Sequence, residues 1–338
     1  ADIVGTQLDM EVSSLAPAAA EFVGSGVCVN CHGKTHIDDT LHRVGIWSPY
    51  ESGPLQDLAG REELYDALEG KFDAATTVYF YSYDSTRGMD KYQTSETDPG
   101  SGVAFSVTVR NETGMYEMVM HNEQNSADPD VTLSVDLVYG GGTGKQRYMT
   151  QVTSGTGFYN AILPLQFQND GDDASSYPRT AKVWRDYYAS YWYNETTDTF
   201  TTPAASKSFE KNCLSCHAVG AQVTGSDSTN WTASVGTDRV WGDFDYTGDG
   251  YADEMNVGCE SCHGPGSEHW AATGQGKYIV TPSLLTPERE SVVCGQCHSR
   301  PKGALGTDSP VNSDGWTIRA GTSRDDFLAS YATTQLDG

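Results

Sequence analysis

Cys-x-x-Cys-His occurs four times, at Cys28-Cys31-His32, Cys213-Cys216-His217, Cys259-Cys262-His263 and Cys294-Cys297-His298. The four copies use all eight cysteines of the 338-residue chain. In each, two thiols are spaced to form thioethers to one porphyrin, and the adjoining imidazole is placed to ligate its iron. A single copy could equally be a redox disulfide or half of a zinc site. Four copies with no stray thiol predict four covalently attached c-type haems instead, because zinc sites do not need histidine after the second cysteine and redox pairs do not come in fours.

This constrains the fold. Only 37% of the residues are hydrophobic, and glycine is abundant with 36 copies, so a core made of protein alone would be thin. Buried porphyrins would supply apolar surface, and the expectation is a mostly irregular multihaem fold with short helices. The chain then reads as an N-terminal arm (1–27), a first haem segment (28–70), a β-rich insert (71–200) and a three-haem segment (201–338). The arm is either a loose tail or a strap that docks on a neighbour. In the insert, Thr77–Tyr81, Val103–Val109, Tyr116–Met120 and Val131–Val135 alternate with period two, and Asn111–Gly114 supplies a hairpin turn. A small antiparallel β domain is expected there. The aromatic run Trp184, Tyr187, Tyr188, Tyr191, Trp192 and Tyr193 is either packing for that domain or a wall beside a haem. The last three motifs begin 46 and 35 residues apart, which requires their haems to lie close together.

Of eight histidines, four belong to the motifs, as proximal ligands His32, His217, His263 and His298. Four remain, His36, His42, His121 and His269, the number that bis-histidine ligation of every iron needs. Methionine is the rival sixth ligand and would raise the potential of its haem. A six-coordinate iron has no open position for substrate, which argues for an electron carrier rather than an enzyme. His36 lies only four residues after His32, too near to reach the opposite face of the same iron. As a ligand it would serve a second haem, and His269, six residues after His263, invites the same reading.

A second constellation lies just before the third motif. Asp243, Asp245, Thr247, Asp249, Tyr251, Asp253 and Glu254 alternate oxygen-bearing residues with turn glycines, the pattern of a calcium loop. The competing reading is a solvated acidic turn. With 21 Lys+Arg against 46 Asp+Glu the formal charge is −25, which argues against nucleic acid as a partner. No run of eighteen or more apolar residues exists to span a membrane. The chain opens with Ala1-Asp2, as an exported protein does after its signal is cleaved, and c-type haems are attached outside the cytoplasm.

Gly258–His269, Val293–Arg300, Lys145–Met149, Leu163–Gln166 and the Cys28–His42 segment together resemble one group of multihaem c-type cytochromes. The group includes periplasmic carriers and the tetrahaem cytochromes that polymerise into extracellular conductive filaments (nanowires) of metal-reducing bacteria and archaea. The resemblance implies electron transfer through closely packed bis-histidine haems and assembly with copies of the same chain. In the filament-forming members one histidine ligates a haem of the next subunit, and His36 is the candidate here. It also implies an extracellular rather than periplasmic location, with redox proteins or an extracellular acceptor as partners. Two alternatives stay open, a discrete periplasmic or surface carrier and a multihaem reductase with one open haem site.

Overall fold

The computed structural model describes residues 16, 18–32, 42, 45–50, 72–84, 91–140, 145–155, 157–168, 182–226, 231–236, 244–274 and 278–333. The chain divides into two units, one of residues 44–208 and one that joins residues 1–43 to 209–338.

The first unit holds β1 (Ile46–Trp47), β2 (Thr76–Asp84), β3 (Lys91–Ser95), β4 (Phe105–Glu112), β5 (Met115–Asn122), β6 (Val131–Ser134), β7 (Leu137–Tyr139), β8 (Lys145–Ser154), β9 (Gly157–Gln168) and β10 (Val183–Asp186). A hairpin of β11 (Tyr193–Asn194) and β12 (Thr199–Phe200) follows. Two antiparallel five-stranded sheets result, in the orders β3-β2-β4-β5-β6 and β1-β7-β8-β9-β10. Alternation builds the first sheet, with Phe105, Val107 and Val109 of β4 and Tyr116, Met118 and Met120 of β5 all buried. Thr113 and Gly114 connect those strands with φ of 54° and 91°. That is the two-residue hairpin geometry whose twist matches the strands, and Asn111 Oδ1 accepts the Gly114 amide at 2.8 Å.

The second sheet obeys a different rule. Along β9 every residue from Tyr159 to Gln168 is buried, so no alternation marks it. Pro164 lacks a ladder amide, and the register to β8 shifts beside it, from Arg147↔Gln166 to Met149↔Ile162. Residues of both sheets share one core, including Val78, Phe80, Phe105, Met118, Tyr148, Leu163, Phe167 and Trp184. Buried Asp186 ties the sheets together by accepting the Tyr92 amide at 2.7 Å and the Ala189 amide at 3.0 Å. Trp184, Trp192 and Tyr193 of the aromatic run lie in this core.

The other unit is made of short pieces. They are α1 (Ser25–His32), α2 (Phe209–Asn212), α3 (Leu214–His217), the hairpin of β13 (Gln222–Thr224) and β14 (Thr232–Ser234), α4 (Cys259–His263), α5 (Ser267–Ala271), α6 (Pro287–His298) and α7 (Arg324–Asp326). Local signals set their ends. Pro287 opens α6 at its first turn, and α4 stops where Gly264 takes φ 80° ahead of Pro265. Among the described residues of this unit, Val292, Ile318, Phe327 and Ala332 make one small apolar cluster.

The fold therefore corrects the expectation of a mostly irregular multihaem cytochrome c fold with short helices and a small β insert. The molecule is mostly β, with two large antiparallel sheets. The expectation fails because β9 is covered on both faces, and because β1, β7 and β10 are too short for period two to register.

Candidate functional site

All four Cys-x-x-Cys-His motifs belong to the unit of short helices. Each sits on or beside helical backbone, at the end of α1, across α3, over the whole of α4 and in the last turn of α6. Helical spacing of i, i+3 and i+4 brings both thiols and the imidazole to one face, so a single flat group can bind all three. The eight cysteines are free thiols, none fully buried. The chain gives α1 no buried residue of its own, and His32, His263 and His298 are exposed.

The motifs are not spread along the chain's order. The Cys28 thiol hydrogen-bonds Cys259, a contact that pushes Cys28 up and, with the Ser25 hydroxyl, pulls Cys259 down. The Cys297 thiol likewise hydrogen-bonds Cys216 and is pushed up by that contact and by burial. Cys262 lies within electrostatic reach of Cys294 and Cys297.

Two spare histidines face motif histidines. The ring centroids of His32 and His269 are 6.3 Å apart with planes at 25°, and those of His42 and His298 are 6.2 Å apart at 83°. Rings in face contact would lie nearer, at about 3.5–4.0 Å. Two imidazoles ligating one metal from opposite sides would lie about 6.2 Å apart, from two bonds of about 2.0 Å and two nitrogen-to-centroid distances of about 1.1 Å. His263 Nδ1 meets the Val280 carbonyl at 2.7 Å, which fixes the tautomer and leaves Nε2 for a metal. His217 packs beside Phe209 at 5.8 Å.

His121 stands on β5, in the sheet unit, with Nδ1 2.7 Å from Asp130 Oδ1. That hydrogen bond raises its pKa and orients Nε2 in the manner of a ligating imidazole. His36 lies outside the described residues, as does Asp243 of the acidic loop.

In that loop the carboxylates close on backbone amides. Asp245 accepts from Gly248, Asp249 and Gly250, Asp249 from Tyr251, and Asp253 from Tyr246 and Thr247. Tyr251 is 64% exposed. Glu254 turns away to accept the Ser25 amide at 2.9 Å. Among the described residues no group of three or more His, Cys, Asp or Glu gathers around a point where a metal ion could sit. Haem iron needs no such cage, since the porphyrin fills four positions and the protein two.

Sequence reasoning missed the clamp that joins the first and third motifs. Glu260, 1% exposed inside the third motif, accepts the amides of Val23, Gly24 and Gly266 at 2.7–3.0 Å. Burial pushes its pKa up to about 7 against the pull of those amides. The Ser25 hydroxyl accepts the Cys259 amide at 2.8 Å, and Arg319 donates to the Ala20 carbonyl at 3.0 Å. The described part of the N-terminal arm is thus bound within its own chain. The one available signal was an acidic residue between the motif cysteines, where the chain also brings glycines close by.

No family model, no curated protein and no solved structure matches the chain. Among the described residues no helix is long and apolar enough to cross a membrane.

Proposed function

We propose that the chain binds four haems covalently and passes electrons among them, as an exported tetrahaem c-type cytochrome. The observation that carries this reading is the pair of histidine separations, 6.3 Å for His32–His269 and 6.2 Å for His42–His298, each beside a Cys-x-x-Cys-His motif. The residues present fit the group. Thiols and imidazole share a helical face, and a porphyrin held by Cys28 and Cys31 would give α1 the apolar cover that the chain does not.

Bound haem would supply an iron for one-electron exchange between Fe(III) and Fe(II), with a redox protein or an extracellular electron acceptor as the other party. The chain's own residues do the rest. Cys28 and Cys31, Cys213 and Cys216, Cys259 and Cys262, and Cys294 and Cys297 fix each ring in place. His32 with His269 and His298 with His42 would hold two of the irons between paired imidazoles and leave no place there for substrate. His36 and His121 remain as the other candidate sixth ligands. No substrate bond is made or broken, and the reading is a carrier rather than an enzyme.

The resemblance to filament-forming cytochromes supports assembly of copies into an extracellular conductor. A discrete carrier is the second reading, favoured by the closure of both described histidine pairs within one chain. Electron microscopy of the native, haem-stained extracellular fraction separates the two, as uniform filaments or as dispersed particles.

The histidine pairs have their own test in electron paramagnetic resonance. Near-parallel ligand planes give an ordinary rhombic low-spin signal, and near-perpendicular planes give a signal at large g. His269→Met should remove a rhombic signal and keep the large-g one, and His42→Met should do the reverse, with haem content intact. A rhombic signal undiminished in His269→Met, or a large-g signal undiminished in His42→Met, would refute the pairing.

A further inference from the structure

We infer that the four haem sites form one row in the spatial order first, third, fourth, second motif, with the first and second motifs at its ends. The inference rests on the haem reading above and adds what it leaves open, which sites are interior and which meet redox partners.

Three contacts set the order. The first and third motifs touch through the Cys28 and Cys259 thiols, with Ser25, one turn ahead of Cys28, accepting the Cys259 amide at 2.8 Å. The third and fourth meet through Gln296, whose side-chain amide reaches the Ser261 carbonyl at 3.5 Å, and through the approach of Cys262 to Cys294 and Cys297. The fourth and second meet where the Cys216 thiol lies 3.8 Å from the Gln296 carbonyl and in hydrogen-bond contact with Cys297. Gln296, between the two cysteines of the fourth motif, therefore touches the motifs on either side of it. A single residue with both neighbours is what an interior site requires.

The contacts also have a symmetry. The first and third motifs meet at the leading cysteine of each, and the second and fourth at the trailing cysteine of each. Each outer pair of motifs would therefore hold its haems with the same cysteine of the motif at the contact. The histidine pairs cross the row in a compatible way. His269, just after the third motif, reaches its neighbour the first, and His42 leaves the first motif for the fourth. Ten residues separate His32 from His42, enough for a span of up to about 33 Å.

In this order the residues of the third and fourth motifs would hold haems that relay electrons between those held by the first and second, each one-electron transfer oxidising one iron as it reduces the next. Partner proteins, or further copies of this chain, exchange electrons at the first and second motifs. The third and fourth are relays.

The test is a structure of the haem-loaded protein with iron positions located by anomalous scattering and each iron assigned to its motif through thioether density. The expected result places iron of the first motif next to the third, the third next to the fourth and the fourth next to the second, with the first and second farthest apart. Four irons following the sequence, first to second to third to fourth, would overturn the order and leave the haem reading standing. Fewer than four irons per chain would overturn the haem reading and the order with it.

Discussion

Replacing Glu260 with glutamine should make the protein's stability less sensitive to pH, in a direction fixed by the burial of this side chain. In the folded chain the carboxyl is 1% exposed and its pKa is pushed up to about 7, from an ordinary value of 4.5. The folded state holds this proton more tightly than the unfolded state does. Stability from the group is therefore complete below pH 4.5 and declines as pH rises through about 7. The gap between the two values corresponds to about 3 kcal/mol. Glutamine keeps one oxygen for two of the amide contacts and never ionises, so its stability lacks this decline. Guanidinium unfolding of the haem-loaded protein, followed at the haem absorption band between pH 4.5 and 8, measures the difference. It should move by about 3 kcal/mol in favour of Glu260→Gln as pH rises. A constant difference, or one that moves toward the wild type, would show that the amides of Val23, Gly24 and Gly266 outweigh burial and would refute the reasoning. Glu260→Ala leaves three amides without their acceptor and should cost about 1–3 kcal/mol for each at any pH.

Gly258→Ala would set a methyl against the Glu254 carboxylate and 2.7 Å from the Ser25 hydroxyl, so the first and third motifs must part. A loss of about 1–3 kcal/mol in unfolding free energy is expected. Gly295→Ala, with nothing within 4 Å, serves as the comparison and should be neutral or up to about 1 kcal/mol more stable, by helix propensity. In the sheet unit, Phe105 is fully buried and stacks 4.4 Å from Phe80 and 4.8 Å from Tyr193. Phe105→Ala should cost about 3–5 kcal/mol, read from far-ultraviolet circular dichroism during unfolding.

Different parts of this architecture were legible to different degrees, for physical reasons. The four Cys-x-x-Cys-His motifs are legible because each is a local pattern of fixed residue types at fixed spacing, and the structure puts each on or beside helical backbone. The β4–β5 hairpin was legible because one face of each strand is buried and Gly114 permits its turn. The second sheet was not, since β9 is buried on both faces and reads as a continuous apolar run broken by Pro164 and several buried amides. Nor could sequence pair His269 with His32, which are brought together across 237 positions by the clamp around Glu260. Short-range logic gave only the narrower point that a histidine so close behind a motif is suited to a different iron. The acidic loop shows the reverse difficulty. Alternating carboxylates suit calcium and an amide-closed turn equally well, and the described carboxylates are engaged with amides.

The most direct test of the central claim is the haem content of the protein as isolated. Pyridine haemochrome absorbance against protein concentration, with intact mass after denaturation, counts the haems that remain bonded to the chain. The account predicts four per chain, none extracted by acidified organic solvent, and a fully low-spin spectrum that does not change when cyanide is added. Fewer than four, haem released from the denatured chain, or zinc at the motifs would contradict it.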